Sequence, residues 1–174
     1  MRRNNIVMIL LSAIMLISLG CAWEPGIDKG KFSELNRTAR QLQSSLSSDK
    51  PCDVPATLLQ KLDTGIAAVK GKAASKGERD VIAAYSRLLA TYRDGVLLCQ
   101  YRTQMNQFEF VPRGRIYVFQ ELDPLVDKYG LSTERHVYAP TGVHWKSIAA
   151  DSVRVIWESA AIQLKNIETM VNYN

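Results

Sequence analysis

The sequence predicts a mainly α fold: a single-domain bundle of four to five helices, stapled by one disulfide and interrupted by an irregular segment over residues 106–144. Three observations lead there. Apolar residues recur at steps of three and four through several separate stretches, the spacing that gathers them on one face of a helix. The composition is ordinary for a globular chain, 47% apolar and 22% charged over 174 residues, which is enough to bury a core in one domain. Two cysteines, Cys52 and Cys99, come to one level when the helices around them are laid antiparallel. There is no internal repeat or low-complexity tract.

The first helix is predicted over 31–47, where Phe32, Leu35, Ala39, Leu42 and Leu46 form one stripe and the polar run up to Pro51 ends it. The second is predicted over 54–72. Asp53 suits its N-cap, Pro55 its first turn, and Leu58, Leu59, Leu62, Ile66 and Val69 its buried face. Gly71 and Gly77 frame a turn, and Ser75 with Glu78 matches the capping box, a serine three residues ahead of a glutamate. The third helix follows to about residue 105, with Val81, Ile82, Tyr85, Leu88, Leu89, Tyr92, Val96 and Cys99 on one face. Gly95 inside it costs up to about 1 kcal/mol relative to alanine, so it predicts the close approach of another helix. Tyr85, Tyr92 and Trp157 are at helical spacing and read as core.

The short turn makes helices two and three antiparallel. Cys52 lies roughly 21 residues back from that turn and Cys99 roughly 23 forward, about 32 and 35 Å of helix rise. They therefore meet at the open end of the hairpin, and a disulfide there is the expectation. Two separate buried thiols are the alternative.

Residues 106–144 are less regular. Ile116, Phe119, Leu122, Leu125, Val126 and Tyr129 keep helical spacing, with Asp123 as N-cap, Pro124 at the first helical position and Gly130 as a stop. A broken helix over 115–129 is the expectation. A β-hairpin pairing 108–111 with 116–119 around Pro112–Arg115 is the alternative. Leu131–Val143 then reads as a long connection. The last helix is predicted over 143–172, from Trp145, Ile148, Ser152, Ile156, Ala160, Leu164, Ile167 and Val171. Small residues Ser152, Ser159, Ala160 and Ala161 permit tight packing.

The amino-terminal stretch decides the compartment. Arg2 and Arg3 precede an uncharged run from Ile6 to Leu19, and Gly20-Cys21 closes it. Positive charge, apolar run and small residue are the layout of an export signal, and the run is short for a membrane span. The ending Ile17-Ser18-Leu19-Gly20-Cys21 resembles the lipobox of bacterial lipoproteins. It has Ser18 where that class carries a branched apolar residue, and Leu19 where it carries a small one. The resemblance covers the first 21 residues. It implies a signal peptide over 1–20 and a lipidated Cys21. Pro25, Gly26 and Gly30 make 21–30 read as a tether, and the helical stripes place a helical domain over 31–174. Two other readings stay open: secretory cleavage after Ala22, which removes Cys21, and an uncleaved anchor. Either cleavage leaves Cys52 and Cys99 to pair in an oxidising envelope.

Formal charge is +5 for the whole chain, and lower without Arg2 and Arg3. That is too mild to point to nucleic acid. The cysteine spacing excludes Cys-x-x-Cys redox and zinc motifs. No nucleophile elbow, His-Glu-x-x-His, phosphate-cradling loop or dinucleotide fingerprint occurs. The two histidines, His136 and His144, lie near Glu134, Tyr138 and Trp145 without a metal-ligand spacing, so no metal and no cofactor is expected. Arg113 and Arg115 suit an anion or a lipid headgroup, as do Lys70, Lys72 and Lys76 around the helix two–three turn.

The expected function is that of a non-enzymatic envelope lipoprotein, held to a membrane by its lipid and serving as an interaction or structural module with an envelope protein partner. The alternative is a small-molecule or lipid-binding module with a pocket between the bundle and residues 106–144, its contacts drawn from Arg113, Arg115, His136, Tyr138 and His144. A pocket predicts an apolar cavity near Phe108, Phe110, Tyr117 and Phe119. An enzyme predicts His136 hydrogen-bonded to Glu134 or Tyr138 in a cleft. An interaction module predicts exposed apolar surface.

Overall fold

The structure, a computed structural model, describes residues 26–46, 52–105 and 111–173. The export signal, Cys21, Phe108 and Phe110 lie outside the described residues. Among these residues the chain is mainly α. The elements are α1 (Lys29–Leu46), α2 (Ala56–Lys70), α3 (Lys76–Met105), β1 (Arg115–Tyr117), α4 (Asp123–Tyr129), β2 (Thr133–Tyr138), β3 (Val143–Ala149), a short 3-10 turn (Ala150–Ser152) and α5 (Val153–Tyr173).

The predicted stripes are the core. Phe32, Leu35, Ala39, Leu42 and Leu46 of α1 are all buried, as are Tyr85, Leu88, Leu89 and Tyr92 of α3 and Ile156, Ala160, Leu164 and Ile167 of α5. On α2 only Leu62 and Ile66 are fully buried, so α2 covers one flank of the bundle. Gly95 is where Trp157 of α5 presses on α3. Cys52 and Cys99 form the expected disulfide, with Cα atoms 5.3 Å apart.

Helix ends follow local chemistry. Ser75 accepts the Glu78 amide at 3.1 Å. The Glu78 carboxylate accepts from the Ala74 amide at 2.7 Å, one residue earlier than the capping box implies. Pro55, and not Asp53, stands at the N-cap of α2. Leu122 holds that place on α4, because Asp123 is already helical and instead accepts from Lys146 at 2.7 Å. Gly130 stops α4 in the left-handed region at φ 59°, where L side chains are strained.

The region from 111 to 149 corrects three expectations. Residues 115–117 are a strand, and only the second half of the predicted 115–129 helix is helical. β1 overlaps 116–119 and pairs with β3, Ile116 opposite Ile148; residues 108–110, in the other arm of the hairpin alternative, lie outside the described residues. Leu131–Val143 is not a bare connection: β2 occupies Thr133–Tyr138 and pairs antiparallel with β3, giving the order β1-β3-β2. The final helix begins at Val153, since Val143–Ala149 is the central strand. Trp145, Ile148 and Ser152 fit a helical period by position, but from His144 to Ser147 burial alternates, with Trp145 and Ser147 buried and His144 and Lys146 exposed or half-buried, as on a strand. Hydrophobic periodicity alone does not separate the two cases over so short a run.

Candidate functional site

Alternation along the strands sorts the small sheet into two faces. Ile116 and Ile148 share one face and are fully buried in the core. On the other, Tyr117, Ser147 and Glu134 lie in one row across the three strands, and His136 opposes Trp145 in the next. That second face carries an aromatic ladder. His136 stacks on Trp145 at 4.1 Å, Trp145 on Tyr117 at 5.2 Å, and Tyr117 meets Phe119 at 4.5 Å. Phe119 reaches Tyr101 of α3 at 5.7 Å, which ties the ladder to the bundle.

Beside the ladder lies a compact polar cluster. Ser147 is fully buried. Arg115 donates to its hydroxyl from Nε at 3.0 Å, and His136 Nε2 lies 2.7 Å from the same oxygen. Arg115 also pairs with Glu134 at 3.1 Å. The Glu134 carboxylate stands 4.0 Å from His136, on the same Nε2 that meets Ser147. A nucleophile–base–acid relay needs the acid on the opposite ring nitrogen and an accessible nucleophile. This cluster has neither; it satisfies polar groups under the sheet.

The β2–β3 hairpin turns through Ala139–Gly142. The Tyr138 carbonyl accepts from Gly142 at 2.8 Å, and Gly142 sits at φ 70°. Next to this turn opens a cleft of about 320 Å³ lined by Tyr117, Tyr138, Thr141, Val143 and Trp145. Among the described residues its lining comes from the sheet and the β2–β3 turn. The hairpin tip is apolar and exposed: Val137 and Val143 are each 57% exposed and Tyr138 is 40% exposed.

The candidate residues separate as follows. Arg115 and His136 are joined through Ser147, and Tyr138 lines the cleft. His144 opposes Val137 and so falls on the other face of the hairpin from His136. Arg113 is exposed in the turn before β1. The two histidines therefore do not form one site, and the described residues hold no group of three or more His, Cys, Asp or Glu able to bind a metal. No helix among them is long and apolar enough to cross a membrane. Ser147 was missed because a serine between Lys146 and Ile148 carries no signal until its strand partners are known.

With this geometry in place, the class defined by fold and site is a disulfide-stapled helical bundle carrying a three-stranded antiparallel sheet at one end. No protein-family model, curated protein or solved structure matches the chain.

Proposed function

We propose that the chain is an envelope lipoprotein, anchored through Cys21, that acts as a non-enzymatic interaction module and presents its β2–β3 hairpin to a partner protein. The observation that carries this reading is the hairpin tip. Val137 points to one face and Tyr138 and Val143 to the other, and all three are exposed. An edge strand with apolar side chains on both faces has surface to offer another chain, by side-chain packing and by strand addition. β2 is such an edge in the order β1-β3-β2.

The test is site-specific photo-crosslinking in intact envelopes. A crosslinker at Val137 yields one discrete adduct, and the same group at exposed Ser86 on α3 does not. Adducts of equal yield at both places, or at neither, overturn the reading.

A second reading rests on the cleft. Its volume, about 320 Å³, falls at the lower end of small-ligand sites, roughly 300–1,000 Å³. Three aromatic rings line it, which suits a flat apolar group. Quenching of tryptophan fluorescence by a bound aromatic compound, lost in Tyr138→Ala, is the result that favours this reading over the first.

A further inference from the structure

Two features of the chain meet at one end of the bundle. The tether enters there. Ile27 is buried, and its Cγ1 lies 3.1 Å from where a Cβ on Gly77 would stand. The Asp28 amide donates to Glu78 at 3.3 Å. Lys31 donates to both Glu78 oxygens, at 2.7 and 2.6 Å, and to the Lys72 carbonyl at 3.0 Å. Lys29 donates to the Asn172 carbonyl at the far end of α5, at 2.8 Å. The start of α1, the α2–α3 turn and the end of α5 are thus bound into one surface. Lys29, Lys70, Lys72, Lys76 and Arg79 are all exposed on it.

Among the described residues, Asp28 and Asp80 are exposed acids set against these cations. Asp80 pairs with Lys76 at 2.8 Å. No carboxylate among the described residues lies within ion-pair distance of Lys70 or Lys72. The amino ends of α1 and α3 add their positive dipole ends to the same surface.

We infer that this tether end is a docking face for an anionic lipid surface. The inference rests on the reading that Cys21 is the anchor. Ile27 is the sixth residue after Cys21, and an extended chain spans at most about 3.5 Å per residue. The basic end is therefore held within about 20 Å of the bilayer, a few Debye lengths at physiological salt. At that range lysines facing negative headgroups close the remaining gap. α3 runs away from this end for 30 residues, about 45 Å. Docking of the basic end sets the bundle upright and holds the β2–β3 hairpin clear of the headgroups.

The test uses the full chain, purified with its anchor and reconstituted into two kinds of vesicle, phosphatidylcholine alone and an equal mixture with phosphatidylglycerol. A water-soluble amine-acylating reagent labels exposed lysines, and mass spectrometry reads Lys70, Lys72 and Lys76 as ratios to Lys128 and Lys146, which lie away from this end. The expected result is a fall of about threefold in those ratios on the anionic vesicles alone, reversed by high salt and abolished in K70E/K72E. Vesicle-bound protein with equal ratios on both lipids overturns the docking face and leaves the anchor standing. Protein that stays with neither vesicle overturns the anchor and the docking face together. Equal protection of all lysines also overturns it, because that describes burial without orientation.

Discussion

Gly95 of α3 and Trp157 of α5 are in contact that admits no side chain: a Cβ on Gly95 would stand 2.1 Å from the indole Cη2. Alanine at 95 gains about 1 kcal/mol of helix propensity. Overpacking costs about 1–3 kcal/mol, and here a rigid double ring has to move. The clash wins, so Gly95→Ala lowers stability by about 1–2 kcal/mol in urea unfolding. Trp157→Leu loses stability alone but recovers part of the Gly95→Ala loss in the double variant.

Glu78 makes the stability of the tether end depend on pH. The Lys31 hydrogen bond, then the Ala74 amide, hold its carboxyl below the usual carboxylate range. A carboxyl lowered in the folded state contributes stability above its unfolded pKa, and that contribution is lost as pH falls through the folded value. Glu78→Gln leaves the Lys31 ammonium, 19% exposed, without its counterion, at a loss of about 1–3 kcal/mol near pH 7. The gap between the two proteins narrows below about pH 4.5. Urea midpoints from pH 7 to 3 check this, and a constant gap contradicts it.

Reduction weakens the opposite end of the bundle. Cys52 and Cys99 are 47 residues apart, and a loop of that size corresponds to about 4 kcal/mol on the chain-entropy model. The Cys52→Ser/Cys99→Ser chain should melt well below the oxidised protein. Added reductant should bring the native chain to the same midpoint and leave the variant where it is.

The helices were legible because their signals are local. Phe32, Leu35, Ala39, Leu42 and Leu46 carry their period within α1, and Ser75 and Glu78 are three residues apart. Even the disulfide followed from counting helix rise on both sides of one turn. The sheet was not legible. Arg115 pairs with Ala149 across an intervening helix and hairpin, and β2 has five of its six residues exposed, so it lacks the apolar alternation that marks a strand. The polar cluster inherits that difficulty. Arg115, Glu134 and His136 were visible as candidates, but only the strand register brings them onto Ser147.

Ser147 separates what the sheet needs for folding from what it offers at its surface. Arginine can only donate, so the hydroxyl accepts from Arg115 Nε at 3.0 Å and has its hydrogen for His136 Nε2 at 2.7 Å. The expected arrangement has the hydroxyl hydrogen directed at Nε2 and the ring hydrogen of His136 on Nδ1. Ser147→Ala leaves both neighbours short of a partner beneath the sheet and lowers stability by about 1–2 kcal/mol. Tyr138→Ala, at a residue 40% exposed, shifts stability by no more than about 0.5 kcal/mol and instead removes contact surface at the hairpin tip. Imidazole ¹⁵N shifts report the tautomer directly: an Nε2 resonance at the acceptor position in the native chain supports the assignment, and a protonated Nε2 refutes it. If Tyr138→Ala proves as damaging to folding as Ser147→Ala, the tip is part of the core and the hairpin is not free to serve a partner.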